Sequence, residues 1–171
     1  EVQAVRPLIQ ALADSWPLHA IAVSTQTPTG AATLREHWGQ RVQHLYAPID
    51  TPGACARFLD RLQPRLLVLV ERELWPELLL QCRDRGIPVV LVNARLSERS
   101  AQTYRRWHRL MRPVWSQLAL VCAADEPSRT RLEQLGVPPE RLLQTGNLKF
   151  DTPAIEADES PTPLAGTGPV I

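Results

Sequence analysis

The chain lacks an excess of charge of either sign. Its 19 lysine and arginine residues nearly balance 18 aspartate and glutamate residues, so the formal net charge of the 171 residues is +1. A protein whose main partner is nucleic acid carries a basic stripe, and this balance therefore argues against that class of partner. Hydrophobic residues make up 44% of the chain and charged residues 22%, which is typical of a soluble globular domain with a sizeable core.

Cysteine is also scarce. Cys55, Cys82 and Cys122 are far apart, odd in number and set in apolar or helical surroundings. We therefore expect three reduced, buried thiols in a cytosolic protein, and no disulfide. No CxxC or Cys/His spacing indicates a metal site.

Neither a signal peptide nor an apolar run long enough to cross a membrane occurs in the sequence. The chain begins on Glu1 without an initiator methionine and ends within an apolar run, "GPVI". We interpret it as a fragment that lacks both ends, so these absences carry no conclusion about a longer protein.

Apolar runs and helical patterns alternate along the chain. Several of the runs are continuously apolar, which is typical of strands covered on both faces and so of a parallel sheet. The predicted strands are 19–25, 42–47, 65–71, 88–94, 118–124 and 141–146. The predicted helices are 2–16, 31–38, 53–63, 74–86, 97–117 with a break near Pro113, and 126–136. This order predicts an α/β fold with a doubly wound parallel sheet.

The composition changes after residue 151. Residues 151–169 are rich in proline, glycine, serine, threonine and acidic side chains, as linkers are. We predict a domain at 1–151, a linker at 152–169, and the first strand of a second domain starting at 170–171.

Polar residues gather where four predicted strands end. The exits read "TQTPTG", "ERELWP", "NARLSERS" and "GNLKFD". Ligands of an open parallel sheet bind beyond the carboxyl ends of its strands, so we expect the four exits to share one edge. Their convergence, more than any single exit, predicts a functional site.

Each exit also has a structural interpretation. "TPTG" has the chemistry of a turn and helix cap, through Thr27 or Thr29, and its backbone N–H groups can also bind an anion. "GNLKFD" can be a glycine turn with paired Lys149 and Asp151. For these two exits, turn chemistry explains the residues as well as ligand binding does.

The other two exits carry more charge. Glu73 can belong to the first turn of a helix, whereas Glu71 lies on the strand itself. "NARLSERS" contains four polar side chains that can bind a carboxylate or phosphate: Asn93, Arg95, Ser97 and Arg99. The same residues can equally form a helix cap followed by a solvated first turn. Both interpretations stay open at this point.

These segments, in this order and spacing, resemble the N-terminal domain of the Kdo (3-deoxy-D-manno-octulosonic acid) transferases of Gram-negative bacteria. The similarity runs from residue 1 to about 151, and "NARLSxRS" and "TGNLKFD" are its specific parts. It implies an inverting GT-B glycosyltransferase with two Rossmann-like domains facing each other across a cleft. It further implies transfer from CMP-Kdo to a lipid A precursor in lipopolysaccharide core biosynthesis. The reaction would take place at the cytoplasmic face of the inner membrane, without a metal or other cofactor.

The resemblance also implies roles for residues. The general base of the family is the glutamate at the position of Glu1. The implied acceptor-binding residues are Glu71, Glu73, Asn93, Arg95, Ser97 and Arg99. The implied donor-binding or phosphate-binding residues are Thr27, Thr29, Gly30, Asn147 and Lys149. The donor-binding domain would lie beyond Ile171, so we expect the chain to be inactive alone.

The sequence departs from the family at Arg72, where the family commonly has threonine. The change puts a third charge between Glu71 and Glu73, and leaves open which of these carboxylates faces the cleft. The family motifs are shared by enzymes that add one, two or several Kdo residues.

Two alternatives remain, a GT-B-like sugar-nucleotide epimerase and a non-catalytic nucleotide-binding half-domain, because fold alone does not separate them. A transferase acting on a lipid needs a basic or apolar surface that faces the membrane, and an epimerase does not. Residues 104–115, "YRRWHRLMRPVW", have the arginines and aromatics of an interfacial amphipathic helix. They are equally compatible with an ordinary surface helix whose Trp107 and Trp115 pack inward.

Overall fold

Strands and helices alternate through the part of the chain that the computed structural model describes, residues 2–39, 41–71 and 74–148 without the side chains of Gln3, His108 and Leu110. The strands are Ala22–Thr25 (β1), Gln43–Tyr46 (β2), Leu67–Val70 (β3), Val89–Ala94 (β4), Leu118–Ala123 (β5) and Leu142–Gln144 (β6). The helices are Arg6–Ser15 (α1), Pro28–Trp38 (α2), Pro52–Leu62 (α3), Pro76–Asp84 (α4), Glu98–Arg106 (α5), His108–Gln117 (α6) and Glu126–Gln134 (α7). Short 3-10 helices span Val2–Val5 and Pro139–Arg141. Each predicted strand is confirmed.

All strand pairs are parallel. β3, β4, β5 and β6 form a four-stranded sheet in that order, and β1 pairs with β2. The predicted α/β fold with parallel strands and intervening helices is confirmed, although the described hydrogen-bonded ladders form two groups rather than one. Side chains join the groups, since Val70 of β3 packs against the apolar cluster beside β1.

Two apolar clusters make up the core. The larger one lies between the four-stranded sheet and helices α3 to α7, and the smaller one consists of Val5, Ile9, Leu34, Trp38 and Val42. Full burial of a leucine or valine contributes about 1.5–3 kcal/mol, so the larger cluster carries most of the apolar stabilisation. Cys55 and Cys82 are fully buried thiols of that cluster, as expected, and burial raises the pKa of each to about 11. Cys122 was also expected to be buried, but it is only half-buried in β5.

The predicted break in residues 97–117 lies elsewhere than expected. The structure divides the stretch at Trp107, and Pro113 is inside α6. The missing N–H of Pro113 removes the bond to the carbonyl of Arg109 within α6, and not at Trp107, so Pro113 does not account for the break. Trp115 is buried, with 1% of its surface exposed, whereas Trp107 is 60% exposed. Trp115 therefore packs inward, as in an ordinary surface helix, whereas Trp107 is exposed, as in an interfacial amphipathic helix.

Helix α4 begins without a cap of its own. Its N-cap residue is Trp75, whose side chain makes no capping hydrogen bond. The carboxylate of Asp50, in the loop after β2, accepts hydrogen bonds from the backbone N of Glu77 at 3.2 Å and of Leu78 at 2.9 Å. The Cys55 thiol also donates to Asp50 Oδ1, at 3.6 Å. Asp50 thus caps a helix that begins about 25 residues further along the chain and fixes the segment that follows β3.

Asp50→Ala should lower the free energy of unfolding by about 1–2 kcal/mol, because two N–H groups of α4 lose their acceptor. Denaturant unfolding of the variant measures the loss. Asp60→Ala is the matched control, since the Asp60 side chain is 65% exposed and, among the described residues, pairs only with Arg85 at the surface. It should cost less than about 1 kcal/mol. Equal losses of unfolding free energy in the two variants would show that the Asp50 cap stabilises the fold no more than a surface ion pair does.

Candidate functional site

The strand exits gather at one edge of the fold. Each parallel ladder extends one step past its strand, through hydrogen bonds from the backbone N of one exit to the carbonyl O of its neighbour. These bonds are Ala47 to Thr25, Glu71 to Val92, Ala124 to Ala94, and Thr145 to Ala123, all 2.9–3.0 Å long. Parallel strands of one ladder end at the same edge, and the hydrogen bonds from the start of α4 to Asp50, after β2, bring the edges of the two ladders together.

Two neighbouring exits leave their strands through an unusual backbone conformation. Glu71 has φ of 59° and Asn93 has φ of 51°, both in the left-handed region that non-glycine residues rarely adopt. The register between β4 and β5 shifts between Leu91 and Ala94, so Asn93 lies on a β-bulge. Such conformations cluster at functional sites, where the surrounding structure enforces them.

The Asn93 side chain joins three of the polar exits. It is 1% exposed; its Nδ2 donates to Oε1 of Glu71 at 3.5 Å, and its Oδ1 accepts from the backbone N of Leu148 at 3.3 Å. Leu148 in turn packs against the smaller apolar cluster. The chain after β6 therefore returns across the carboxyl edge to β4, and "ERELWP", "NARLSERS" and "TGNLKFD" meet at one point.

A narrow cleft of about 20 Å³ opens beside this junction, with room for about one water molecule. Its polar lining includes Glu71, Arg95 and Ser100, and Tyr104 and Trp115 form one wall with ring centroids 5.4 Å apart, edge to face. No described salt bridge joins Glu71 to Arg95. A carboxylate and a guanidinium thus share one cleft without neutralising each other by direct contact.

The rest of "NARLSERS" begins helix α5. Ser97 is the N-cap, and its Oγ accepts from the backbone N of Ser100 at 3.2 Å. Arg99 lies in the exposed first turn, and the positive charge of Arg95 contributes to lowering the pKa of Asp125, after the dominant hydrogen bonds from Ser128. The cap interpretation therefore holds for Ser97, while Arg95 lines the cleft and both Arg95 and Arg99 are exposed.

The "TPTG" exit also forms a cap. Thr27 Oγ1 accepts from the backbone N of Gly30 at 3.1 Å, and a Cβ on Gly30 would lie 3.3 Å from Thr25 Cβ. His44 Nε2 lies 2.9 Å from Thr25 Oγ1, and burial, followed by the charge of Arg35, lowers the His44 pKa. A phosphate at this helix start would have to displace Thr27 from the Gly30 N–H.

The structure brings some predicted site residues together and not others. Glu71 and Asn93 touch, and Arg95 shares the cleft, whereas the described contacts of Thr27, Thr29 and Gly30 lie within their own exit and helix. Asn147 is half-buried and follows Gly146, whose φ is 85°. Glu1, Glu73 and Lys149 lie outside the described residues, as do the predicted linker and the start of the second domain.

Sequence reasoning missed Asp50, Ser128 and Arg131, which support the edge from outside the motifs. Trp75 is a poor N-cap, so its position before α4 was a usable signal that some distant acceptor must cap that helix. Within the described residues, no group of three or more histidine, cysteine, aspartate or glutamate side chains is arranged to hold a metal ion. No helix in that part of the chain is both long and apolar enough to cross a membrane.

The class of protein follows from this architecture and from its likeness to solved structures. A UDP-GlcNAc 2-epimerase from Neisseria meningitidis bound to UDP-GlcNAc matches with a TM-score of 0.63 at 15% identity, over 89% of this chain and 45% of that one. A Staphylococcus aureus MnaA–UDP complex matches with a TM-score of 0.61 at 17% identity, over 88% and 42%. Identities this low show the fold alone, a Rossmann-like half of the GT-B type, and give no argument for an epimerase.

Sequence comparison defines the family. The family profile of 3-deoxy-D-manno-octulosonic-acid transferase (kdotransferase) matches residues 1–152, and the chain belongs to this family. Curated relatives named 3-deoxy-D-manno-octulosonic acid transferase include one from Haemophilus influenzae, 42% identical over 88% of this chain and 35% of the relative. Another, from Bordetella pertussis, is 35% identical over 92% and 37%. The chain thus spans about a third of the length of these relatives, and the resemblance seen in the motifs is confirmed.

Substitutions of Asn93 should separate its backbone role from its side-chain role. Asn93→Ala loses both hydrogen bonds and keeps a Cβ at φ of 51°, whereas Asn93→Gly loses the bonds and also removes that Cβ. The left-handed conformation costs a non-glycine residue roughly 1–2 kcal/mol, so the glycine variant should be the more stable of the two by about 1 kcal/mol. Chemical denaturation of both variants measures this difference.

Gln43 is the matched control, because it is an exposed residue of β2 without a positive φ. In an ordinary strand glycine is less stable than alanine by roughly 0.5–1 kcal/mol, so Gln43→Gly should unfold more easily than Gln43→Ala. The same order at position 93 would contradict the role assigned to its backbone.

Proposed function

We propose that the chain is the acceptor-binding half of an inverting glycosyltransferase. The whole enzyme moves Kdo from CMP-Kdo to a lipid A precursor during lipopolysaccharide core biosynthesis. The observation that supports this most directly is the junction of Glu71, Asn93 and the backbone of Leu148, in a chain of the Kdo transferase family. That junction unites three motifs at the edge where an open parallel sheet binds its ligands.

In this proposal the acceptor occupies the edge beside the cleft. The carboxylates of Glu71 and Glu73 accept hydrogen bonds from sugar hydroxyl groups, and Asn93 holds Glu71 in place. The exposed guanidinium groups of Arg95 and Arg99 bind an acceptor phosphate, for which their planar fork is well suited. Ser97 contributes by starting the helix that carries Arg99.

In this proposal, the remaining exits and a second domain bind the donor. Thr27, Thr29, Gly30, Asn147 and Lys149 contact the donor or its phosphate, while residues 152–169 link this domain, 1–151, to a donor-binding domain that begins at 170–171. The transfer needs no metal, because positioned side chains and the nucleotide leaving group supply the chemistry.

The reaction is a direct displacement at the anomeric carbon, C2, of Kdo. The acceptor hydroxyl oxygen forms a bond to C2 as the bond from C2 to the CMP phosphate oxygen breaks, and CMP leaves with the electron pair. Glu1 takes the proton of the attacking hydroxyl as general base. A carboxylate in a partly desolvated cleft suits this role, because its pKa rises toward neutrality.

We further propose that the enzyme works at the cytoplasmic face of the bacterial inner membrane. Exposed Trp107 lies among exposed arginines of α5 and α6, namely Arg105, Arg106, Arg109 and Arg112. This combination of an aromatic ring and positive charge favours binding to a surface of anionic lipid. A membrane-facing surface of this kind distinguishes a transferase with a lipid acceptor from an epimerase, which has no acceptor.

In the full-length enzyme, Glu1→Gln should abolish most transfer from CMP-Kdo while preserving the fold. Loss of a general base typically costs on the order of 10²–10⁴ in rate. Product formation from CMP-Kdo and a lipid A precursor, with donor hydrolysis subtracted, measures the effect. Glu36→Gln, on the exposed surface of α2, is the control and should retain full activity. Near wild-type turnover in Glu1→Gln would exclude Glu1 as the base.

Residues 1–171 alone should fold but should not transfer sugar. The chain has its own core, yet it lacks the domain that grips the nucleotide, and holding both reactants together supplies roughly 7–11 kcal/mol of barrier reduction. The measurement is cooperative unfolding of the purified chain, followed by incubation with CMP-Kdo and acceptor. Transfer by this chain alone would overturn the placement of the donor site beyond Ile171.

A further inference from the structure

One face of α7 holds the backbone that follows β4. The backbone N of Leu96 donates to Ser128 Oγ at 3.0 Å, and the carbonyl O of Leu96 accepts from Arg131 Nη1 at 2.9 Å. Ser128 and Arg131 are three residues apart and therefore lie on the same face of the helix. Both backbone polar groups of a residue that is only 5% exposed are thus satisfied by one helix.

Arg131 also reaches the start of α5. Its Nε donates to Glu98 Oε2 at 3.0 Å, and this hydrogen bond is the main cause that lowers the pKa of Glu98. Arg105 makes a second ion pair with Glu98 and donates to Gln134 of α7 at 3.0 Å. A single guanidinium, that of Arg131, therefore ties the carbonyl of Leu96 to the first turn of the next helix.

The contact with Ser128, together with one from Ala124, holds the two peptide groups that flank Arg95, and the contact with Arg131 holds the next peptide, between Leu96 and Ser97. The peptide before it is held by the hydrogen bond from the backbone N of Ala124 to the carbonyl O of Ala94, 3.0 Å long. The peptide after it is held by the bond from Leu96 N to Ser128. Because both peptide planes are held, φ and ψ of Arg95 are held as well. The exposed side chain of Arg95 therefore leaves the backbone in one defined direction, and it lines the cleft beside Glu71.

We infer that Ser128 and Arg131 are positioning residues for acceptor recognition, which act through Arg95 without touching the substrate. The inference rests on the proposed function, in which Arg95 binds an anionic group of the acceptor. Preorganised binding groups lose less entropy when the ligand binds, so loosening this backbone weakens acceptor binding. Neither residue belongs to a motif that the sequence singled out.

The test uses the full-length enzyme, with CMP-Kdo saturating and a lipid A precursor varied. Arg131→Met keeps the aliphatic stem and removes both contacts, while Arg131→Lys can make only one of them at a time. We expect the KM for the acceptor to rise roughly threefold or more in Arg131→Met and Ser128→Ala, and less in Arg131→Lys, with kcat within about twofold. Arg129→Met is the matched control, because the described ion pair of Arg129 is with Glu126 on the same helix. The acceptor KM of this variant should not change.

A double-mutant cycle separates positioning from general destabilisation. If Arg131 acts through Arg95, then Arg131→Met should raise the acceptor KM no further once Arg95→Met is present. This inference alone would be overturned if the KM increases of Arg131→Met and Arg95→Met multiply in the double variant. It would also be overturned if the KM is unchanged in Arg131→Met and Ser128→Ala. Absence of transfer by the unsubstituted enzyme would overturn the proposed function and this inference together. If Arg131→Met does not fold, then Arg131→Lys and Ser128→Ala, each combined with Arg95→Met, give the same comparison.

Discussion

The carboxyl edge depends on the burial of one polar side chain, that of Asn93. Its hydrogen bonds are long, 3.5 Å to Glu71 and 3.3 Å to Leu148, so the strength of each bond is not the main effect. A buried polar group left without partners costs about 1–3 kcal/mol, which makes convergence of these segments the favourable arrangement. The partners lie 22 and 55 residues away in the chain. One buried amide thus links three exits that are distant in sequence.

Helix starts define the electrostatics around this junction. The helices α2, α4, α5 and α7 all begin at the carboxyl edge, where their dipoles favour negative charge. Side chains already occupy those positions, since Thr27, Ser97 and Asp125 cap their own helices and Asp50 caps α4. On the proposed acceptor side, an anionic group is therefore better bound by the exposed guanidinium groups of Arg95 and Arg99 than by the capped start of α5.

The elements of the fold could be predicted from local pattern. Apolar runs marked all six strands of the described residues, and several of them are continuously apolar, as in β3, since a strand covered on both faces needs apolar side chains at every position. The break between α5 and α6 was placed wrongly near Pro113, because α6 accommodates the proline and the chain divides at Trp107 instead. The opposite burial of Trp107 and Trp115 could not be predicted, because a helix pattern does not say which neighbours pack against each turn.

The amino-acid sequence by itself determined the α/β fold, the polar strand exits and the family, because these depend on residue type and spacing along the chain. Only the tertiary structure decided which exits meet and what supports them. The hydrogen bond between Asn93 and Glu71, the capping of α4 by Asp50, and the hydrogen bond from Arg131 to Leu96 all join residues far apart in sequence. Such contacts form because buried backbone groups must find partners wherever the packed chain offers them, and no local pattern records that choice.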